Sequence, residues 1–549
     1  MSGITSHRPV ISARHAISAG HYLAAHAGFA VLEADGNAID AGVAGGLALG
    51  VLQSDLVSVA GVAPIILILY HAESREVFTI SGLGVWPKLV TPDYFMKRHG
   101  GKILRGRLRT VVPAARDETL LRWGTMSFGE VAAAAVRFDY EEWPSNRAIF
   151  QPHGRPPEVG ELFVQSDLGS SLQYMIDQEA AALSQGRQAG LLAARSAFYR
   201  GDLGRTIVAY HEANGGLWRM DDLAEFRSGI EPSVAVRFGE LSVHTRGPWC
   251  QGPVLAQMLR LVEATGIHRE PHNSFRYVHG LTEITKTAFA DRHAYYGDPR
   301  FVEVPLERLL SEAYAAERAR CVRPNQTWPG IPPAGLAKAS MVHAYGPVTA
   351  APQPQLDTSY VCVVDRHGNA FSATPSDASS STPVIPGTGL CPSSRGSQSW
   401  ADPALPACVA PGKRPRLTPS PAFALGRDGR AIPFGTPGGD VQAQAMLQVL
   451  LNRIVYGMDP QAAVEALRFA TYSFPDSFEP HSIQPGRLLL EARLPPALGE
   501  KPASVGHDVA WWPDWTWKAG AVCMIDSDPR AGVHHAGADP RRSTYALGS

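Results

Sequence analysis

The chain has 549 residues, 45% apolar and 18% charged, with 50 Lys and Arg against 51 Asp and Glu. A formal net charge of −1 leaves no electrostatic footprint for nucleic acid or an acidic membrane surface. The composition is that of a globular chain able to bury one large core or two to three ordinary ones.

Residues 1–20 lack the apolar centre of a signal peptide, so export is not expected. The longest apolar run, Val59 to Tyr70, is too short to cross a bilayer and contains Pro64. Its second half reads as a buried strand. The six cysteines (Cys250, Cys321, Cys362, Cys391, Cys408 and Cys523) form no CxxC pair and no zinc-like spacing with His. Buried thiols in a reducing, cytoplasmic setting are expected, with no metal and no cofactor.

In chain order, His21 to Leu52 reads as two helices broken at Asp35-Gly36-Asn37. A strand follows from Ile65, then a Gly- and Pro-punctuated segment from Ser81 to Pro87. Helical patterns dominate from Phe128 to Leu223; Asn214-Gly215-Gly216 stops one helix, and Asp221-Asp222 can start the next. Helices continue through "PVLAQMLRLVEATG" and from Tyr277 to Tyr296. From Pro324 to Leu356 the chain is rich in Pro, Ala, Gly and Gln and has no sustained period. The expected division therefore falls near residue 357, between a mostly helical front part and a back part that opens on a strand.

That back part begins "DTSYVCVVDRHGNAFSATPSD", from Asp357 to Asp377. Tyr360 to Val364 and Ala370 to Thr374 read as two strands of a hairpin around the turn Asp365 to Asn369. Further on, "GTPGGDVQAQAMLQVLLNRIV" places Leu447, Leu450, Leu451, Ile454 and Val455 on one helical face. A glycine pair opening such a helix leaves N–H groups free, which suits an anion or oxyanion; a tight turn that needs glycine dihedrals explains it equally.

Together these segments resemble the γ-glutamyltranspeptidase family of N-terminal-nucleophile (Ntn) hydrolases. "AGFAVLEADGNAIDAGVAGGLAL", "AFYRGDLG", "NGGLWRMDDLAEF", "AFADRHAYYGDPRF", the hairpin, "KRPRLTPSPAF" and "GTPGGDVQAQAMLQV" follow in the family's order. The resemblance implies an α+β fold, an αββα sandwich built from two autoprocessed subunits, residues 1–357 and 358–549. The implied cut lies between Asp357 and Thr358. It frees a threonine whose α-amine, ordinarily of pKa about 7.7–8.0, serves as base for its own hydroxyl. The family's oxyanion donors fall on Gly438 and Gly439, and its second hydroxyl falls on Ser376.

The sequence departs from the family where a glutamyl group would be held. Leu83 or Gly84 stands at the carboxylate-binding Arg, and the paired serines become Leu417 and Thr418. The amine-binding stretch, "GLCPSSRGSQSW", offers Ser393, Ser394, Arg395 and Gln398 but no acidic residue. Arg395 is either a receptor for a substrate carboxylate, with Ser394 and Thr418 beside it, or a solvated loop charge. Trp86 reads as pocket wall or core. The expectation is an amide hydrolase acting through a Thr acyl-enzyme on a small or carboxylate-bearing amide such as oxamate, with the two subunits as each other's partners. A glutathione hydrolase or γ-glutamyltransferase, and an uncut non-catalytic homologue, remain the alternatives.

Overall fold

The computed structural model describes residues 8–54, 56–61, 66–103, 144–151, 155, 161, 164–336, 358–377 and 382–549. Asp357, most of the Pro/Gln-rich stretch before it and the segment around Phe128 lie outside these residues. Two antiparallel seven-stranded sheets dominate. One runs in the order Ile11–Ala13 (β1), Val533–Ala538 (β16), Cys523–Asp528 (β15), Ala431–Gly435 (β11), Ala422–Gly426 (β10), Leu241–Thr245 (β7) and Val234–Phe238 (β6). The other runs Tyr545–Gly548 (β17), Ala16–Ala19 (β2), Val361–Val364 (β8), Ala370–Ala373 (β9), Ile66–His71 (β3), Glu76–Ser81 (β4) and Gly229–Pro232 (β5). A small sheet, Phe469–Thr471 (β12), Arg487–Glu491 (β13) and Asp508–Trp512 (β14), lies apart from both.

Side-chain alternation along the strands separates the layers. Tyr360, Cys362 and Val364 face the other sheet, meeting Phe423, Cys523 and Ile525. Val361 and Val363 face the opposite way, into the helices Tyr22–Glu33 and Ala38–Leu52. Because β8 is buried on both faces, its sequence is a continuous apolar run rather than an alternating one. On the far side, Ala422, Ala424, Ile432 and Phe434 pack against the helices Gly252–Thr265, Phe275–Tyr295 and Gln442–Ile454. Helix, sheet, sheet and helix layers thus form the αββα sandwich.

The break between the first two helices is a capping box: Asn37 Oδ1 accepts from the Asp40 N–H, and Asp40 Oδ2 accepts from the Asn37 N–H. Asp35 takes a positive φ of 64° to make the reversal. The division near residue 357 is not a boundary between a helical and a stranded body. The front part supplies strands to both large sheets, including β5 to β7, which the helical reading of that half passed over. β5 and β6 are the outermost strands of their sheets, and β6 and β7 alternate only over five residues each, too short a run to carry a strong period.

Candidate active site

The site is built on the register of the β8–β9 hairpin. Asp365 ties the turn by accepting from the N–H groups of His367 (2.9 Å) and Asn369 (3.0 Å), an arrangement Asp favours at turns. Val361 is then opposite Ala373, and three residues further along each strand Thr358 forms a bridge with Ser376. Their hydroxyls are 2.7 Å apart, and both residues are fully buried. The neighbouring Ser359 N–H bonds to the Pro375 carbonyl at 2.9 Å, which locks the same register.

Arg395 reaches this pair from the single 3₁₀ turn Arg395–Gln398. Its Nη2 donates to Ser376 Oγ and, at 3.3 Å, to Thr358 Oγ1. Its Nε lies 3.4 Å from Asp377 Oδ1, and its guanidinium sits 5.3 Å from the centre of the Phe478 ring. Arg395 is fully buried, so it is not a solvated loop charge. Ser394 is turned to Asp377, which accepts from the Ser394 N–H (2.9 Å) and hydroxyl (3.1 Å). Ser393 Oγ accepts from the Arg395 N–H. Thr418 Oγ1 accepts from Gln398 Nε2 at 3.1 Å.

Asp377 and Arg542 were not singled out from the sequence. Asp377 supplies the carboxylate that the Ser393–Gln398 stretch lacks, from the residue after Ser376, with a positive φ of 101°. Its position beside a candidate hydroxyl was the available signal. Arg542 Nη1 donates to the Thr358 carbonyl at 3.1 Å, and nothing local in the C-terminal sequence marks that contact.

The glycine pair follows β11, whose last residue, Gly435, lies so close to the Tyr360 ring that an added Cβ would fall 2.3 Å from it. Gly438 (φ 126°) and Gly439 (φ 56°) both adopt conformations that L side chains avoid. Their N–H groups donate to no acceptor among the described residues. Asp440 anchors the loop, accepting from Arg292 Nη1 (2.6 Å), the Ser477 hydroxyl (2.7 Å) and N–H (2.7 Å), and Gln251.

Leu83, Trp86 and Leu417 belong to one buried apolar cluster with Trp249 and Cys250. The Leu83 and Leu417 positions are therefore hydrophobic core, and Trp86 bonds to Ser399 through its indole N–H. Elsewhere, His279, Glu283 and His507 offer ligand atoms within 4.8 Å of one another. Lys286 Nζ already bonds Glu283 Oε1 at 2.9 Å, Thr327 bonds the same oxygen, and His279 Nδ1 meets His507 Nε2 at 2.8 Å. The described groups of this cluster are spent on hydrogen bonds to one another and to the Lys286 ammonium.

A four-layered sandwich with a central strand leading from a buried hydroxyl pair defines a class, the Ntn-type hydrolases that act on amide C–N bonds. More narrowly, the chain belongs to the gamma-glutamyltranspeptidase family, whose model matches residues 24–549. It is 28% identical to the glutathione hydrolase-like YwrD proenzyme of Bacillus subtilis, over 98% of this chain and 99% of that protein. It is 30% identical to the acylase ACY 1 proenzyme of Pseudomonas sp. strain SE83, over 97% and 96%. The solved cephalosporin acylase of Bacillus halodurans matches it with a TM-score of 0.83 at 25% identity, covering 100% of this chain and 98% of that one.

Proposed function

We propose that the chain cuts itself between Asp357 and Thr358 into subunits of residues 1–357 and 358–549, and that Thr358 then hydrolyses a small, carboxylate-bearing amide such as oxamate. The proenzyme names of its relatives support a processed two-subunit enzyme. Thr358 Oγ1 attacks the substrate carbonyl while its proton passes to the freed α-amine, directly or through one water, help typically worth about 10²–10⁴ in rate. Ser376 supports the hydroxyl. The tetrahedral oxygen is received by the Gly438 and Gly439 N–H groups, each worth about 3–4 kcal/mol. The amine leaves with a proton, an acyl-enzyme remains, and water releases the acid.

The observation that carries the substrate reading is the 3.3 Å between Arg395 Nη2 and Thr358 Oγ1. A guanidinium this near the nucleophile acts as a ruler. It suits a carboxylate attached directly to the scissile carbonyl, as in oxamate. In a γ-glutamyl group three carbons intervene, each adding about 1.5 Å of bond, so the α-carboxylate falls well beyond this contact. Burial of Leu83 and Leu417 in apolar core removes the polar groups that would meet it instead.

The reaction is a cytoplasmic hydrolysis in this reading, with no cofactor. The test compares oxamate with γ-glutamyl-p-nitroanilide on purified enzyme, alongside a denaturing gel. Two bands and selective turnover of oxamate are expected. Efficient turnover of the anilide favours the glutathione hydrolase reading, and one uncut band with no activity favours a non-catalytic homologue.

A further inference from the structure

Arg416 is a further buried guanidinium near this site, and among the described residues it forms no ion pair. It is 2% exposed. Its one hydrogen bond among the described residues is from Nη1 to the Arg292 carbonyl, at 3.0 Å. Its Nε is buried with no acceptor. No carboxylate among the described residues lies within ion-pair distance of it. Arg292 and Lys413 repel it, and Asp440 favours its charged form without pairing with it. Asp440 is already committed to the Arg292 side chain and to Ser477. His481, stacked on Trp400 with ring centres 3.7 Å apart, borders the same group and adds no negative charge. Burial and the Arg292 charge both press Arg416 toward losing its proton, yet a guanidinium is among the side chains least able to do so.

The direction of the side chain follows from its neighbour. Leu417 enters the apolar cluster with Trp86 and Trp249, and its N–H bonds to the Trp249 carbonyl. Arg416 and Thr418 flank it and make polar contacts instead, Thr418 with Gln398. Gln398 closes the turn that Arg395 opens, and its Oε1 is buried with no donor. A folded chain keeps an unpaired buried charge at a cost of several kcal/mol. A cost of that kind is retained at sites where a ligand supplies the counter-charge.

We propose that Arg416 is a specificity-determining anion receptor: it binds a second negative group of the substrate, farther from the scissile carbonyl than the one at Arg395. The preferred substrate is then an amide that carries a second carboxylate beyond the one next to its scissile carbonyl; oxamate itself fills only the Arg395 seat. The identity of that amide as substrate rests on the reading of Thr358 as nucleophile; the anion seat does not.

The test is therefore a binding measurement. Processed wild-type enzyme is titrated calorimetrically with glutarate and with its neutral diamide. Saturable binding of one glutarate per active site is expected, weakened at least about 10-fold in Arg416→Met with no change for the diamide. Arg416→Met should also melt at a higher temperature than wild type without anion, since it removes the unpaired charge, and should lose the rise in melting temperature that glutarate gives wild type. Arg416→Lys keeps the charge but loses the planar fork, and should bind glutarate more weakly than wild type. Absence of saturable binding in wild type overturns the proposal, as does unchanged affinity in Arg416→Lys, even should Arg416→Met fail to fold. Loss in Arg395→Gln alone, with Arg416→Met unaffected, makes Arg395 the single anion seat and sinks this inference while leaving the proposed function standing.

Discussion

Arg395 Nη2 lies 3.3 Å from Thr358 Oγ1 while Asp377 Oδ1 lies 3.4 Å from Nε of the same guanidinium. The carboxylate holds one edge of the fork and leaves the other aimed at the hydroxyl pair, so the arginine is oriented before any substrate arrives. Arg395→Gln should cost about 2–5 kcal/mol in kcat/KM for oxamate, the range for truncating a desolvated charge pair. Arg395→Lys should recover little of it, because a point charge cannot serve Asp377 and a substrate carboxylate together. Steady-state kinetics with wild-type activity in either variant would refute the receptor role.

Thr358→Ala should remain a single chain and be inactive, because one hydroxyl makes both attacks. Thr358→Ser should retain part of each, since only a methyl group is lost. In processed wild type, the small chain should begin Thr-Ser-Tyr-Val when sequenced from its N-terminus. Ser376→Ala removes the partner 2.7 Å from the nucleophile and should slow both steps by roughly 5-fold, consistent with about 1 kcal/mol for one hydrogen bond. Normal cleavage in Thr358→Ala would assign the cut to another residue.

Gly438→Ala has room for its Cβ, whose nearest neighbour would be 3.6 Å away, but not the backbone for it at φ 126°. The loop should turn, and the N–H with it. The expected loss is about 10²–10³ in kcat, the range for one oxyanion donor, with KM little changed. A fall in KM-dependent terms alone, at unaltered kcat, would return the glycine pair to the role of a plain turn.

The layers of the fold were legible where a strand or helix is buried on a consistent face. The run from Val361 to Val364, the break at Asp35 to Asn37 and the amphipathic face of Leu447, Leu450 and Leu451 each carry their own signal. The pairing of Thr358 with Ser376 follows from the turn Asp365 to Asn369, since a hairpin's turn fixes its register. Asp377 on Arg395, Arg542 on the Thr358 carbonyl and Arg416 beside Arg292 could not be read this way. Each joins segments far apart in sequence, and a buried arginine has no local pattern that distinguishes it from a surface one.

The last prediction concerns acid stability. Burial lowers the pKa of seven described histidines, most strongly His211 to about 3, His244 to about 4, His481 to about 4 and His507 to about 3. His211 is stacked on Trp218 with ring centres 4.1 Å apart, and His507 meets His279. Arg219 adds to the effect at His211, and Lys286 and His279 add to it at His507. In the unfolded chain each of these four imidazoles takes a proton near pH 6.5, whereas in the folded one it stays neutral down to about pH 3–4. Between those values the unfolded state binds more protons, so stability falls as pH falls, by up to about 1.4 kcal/mol per pH unit for each histidine fully titrated in the unfolded chain. Above pH 7 these groups are neutral in both states and contribute no slope. Urea midpoints should therefore be flat from pH 7 to 8 and drop steeply from pH 6 to 4.5. His211→Phe, which keeps the stack on Trp218 without the titrating ring, should shallow that drop by one proton's worth; an unchanged slope would show that the acid sensitivity comes from other groups.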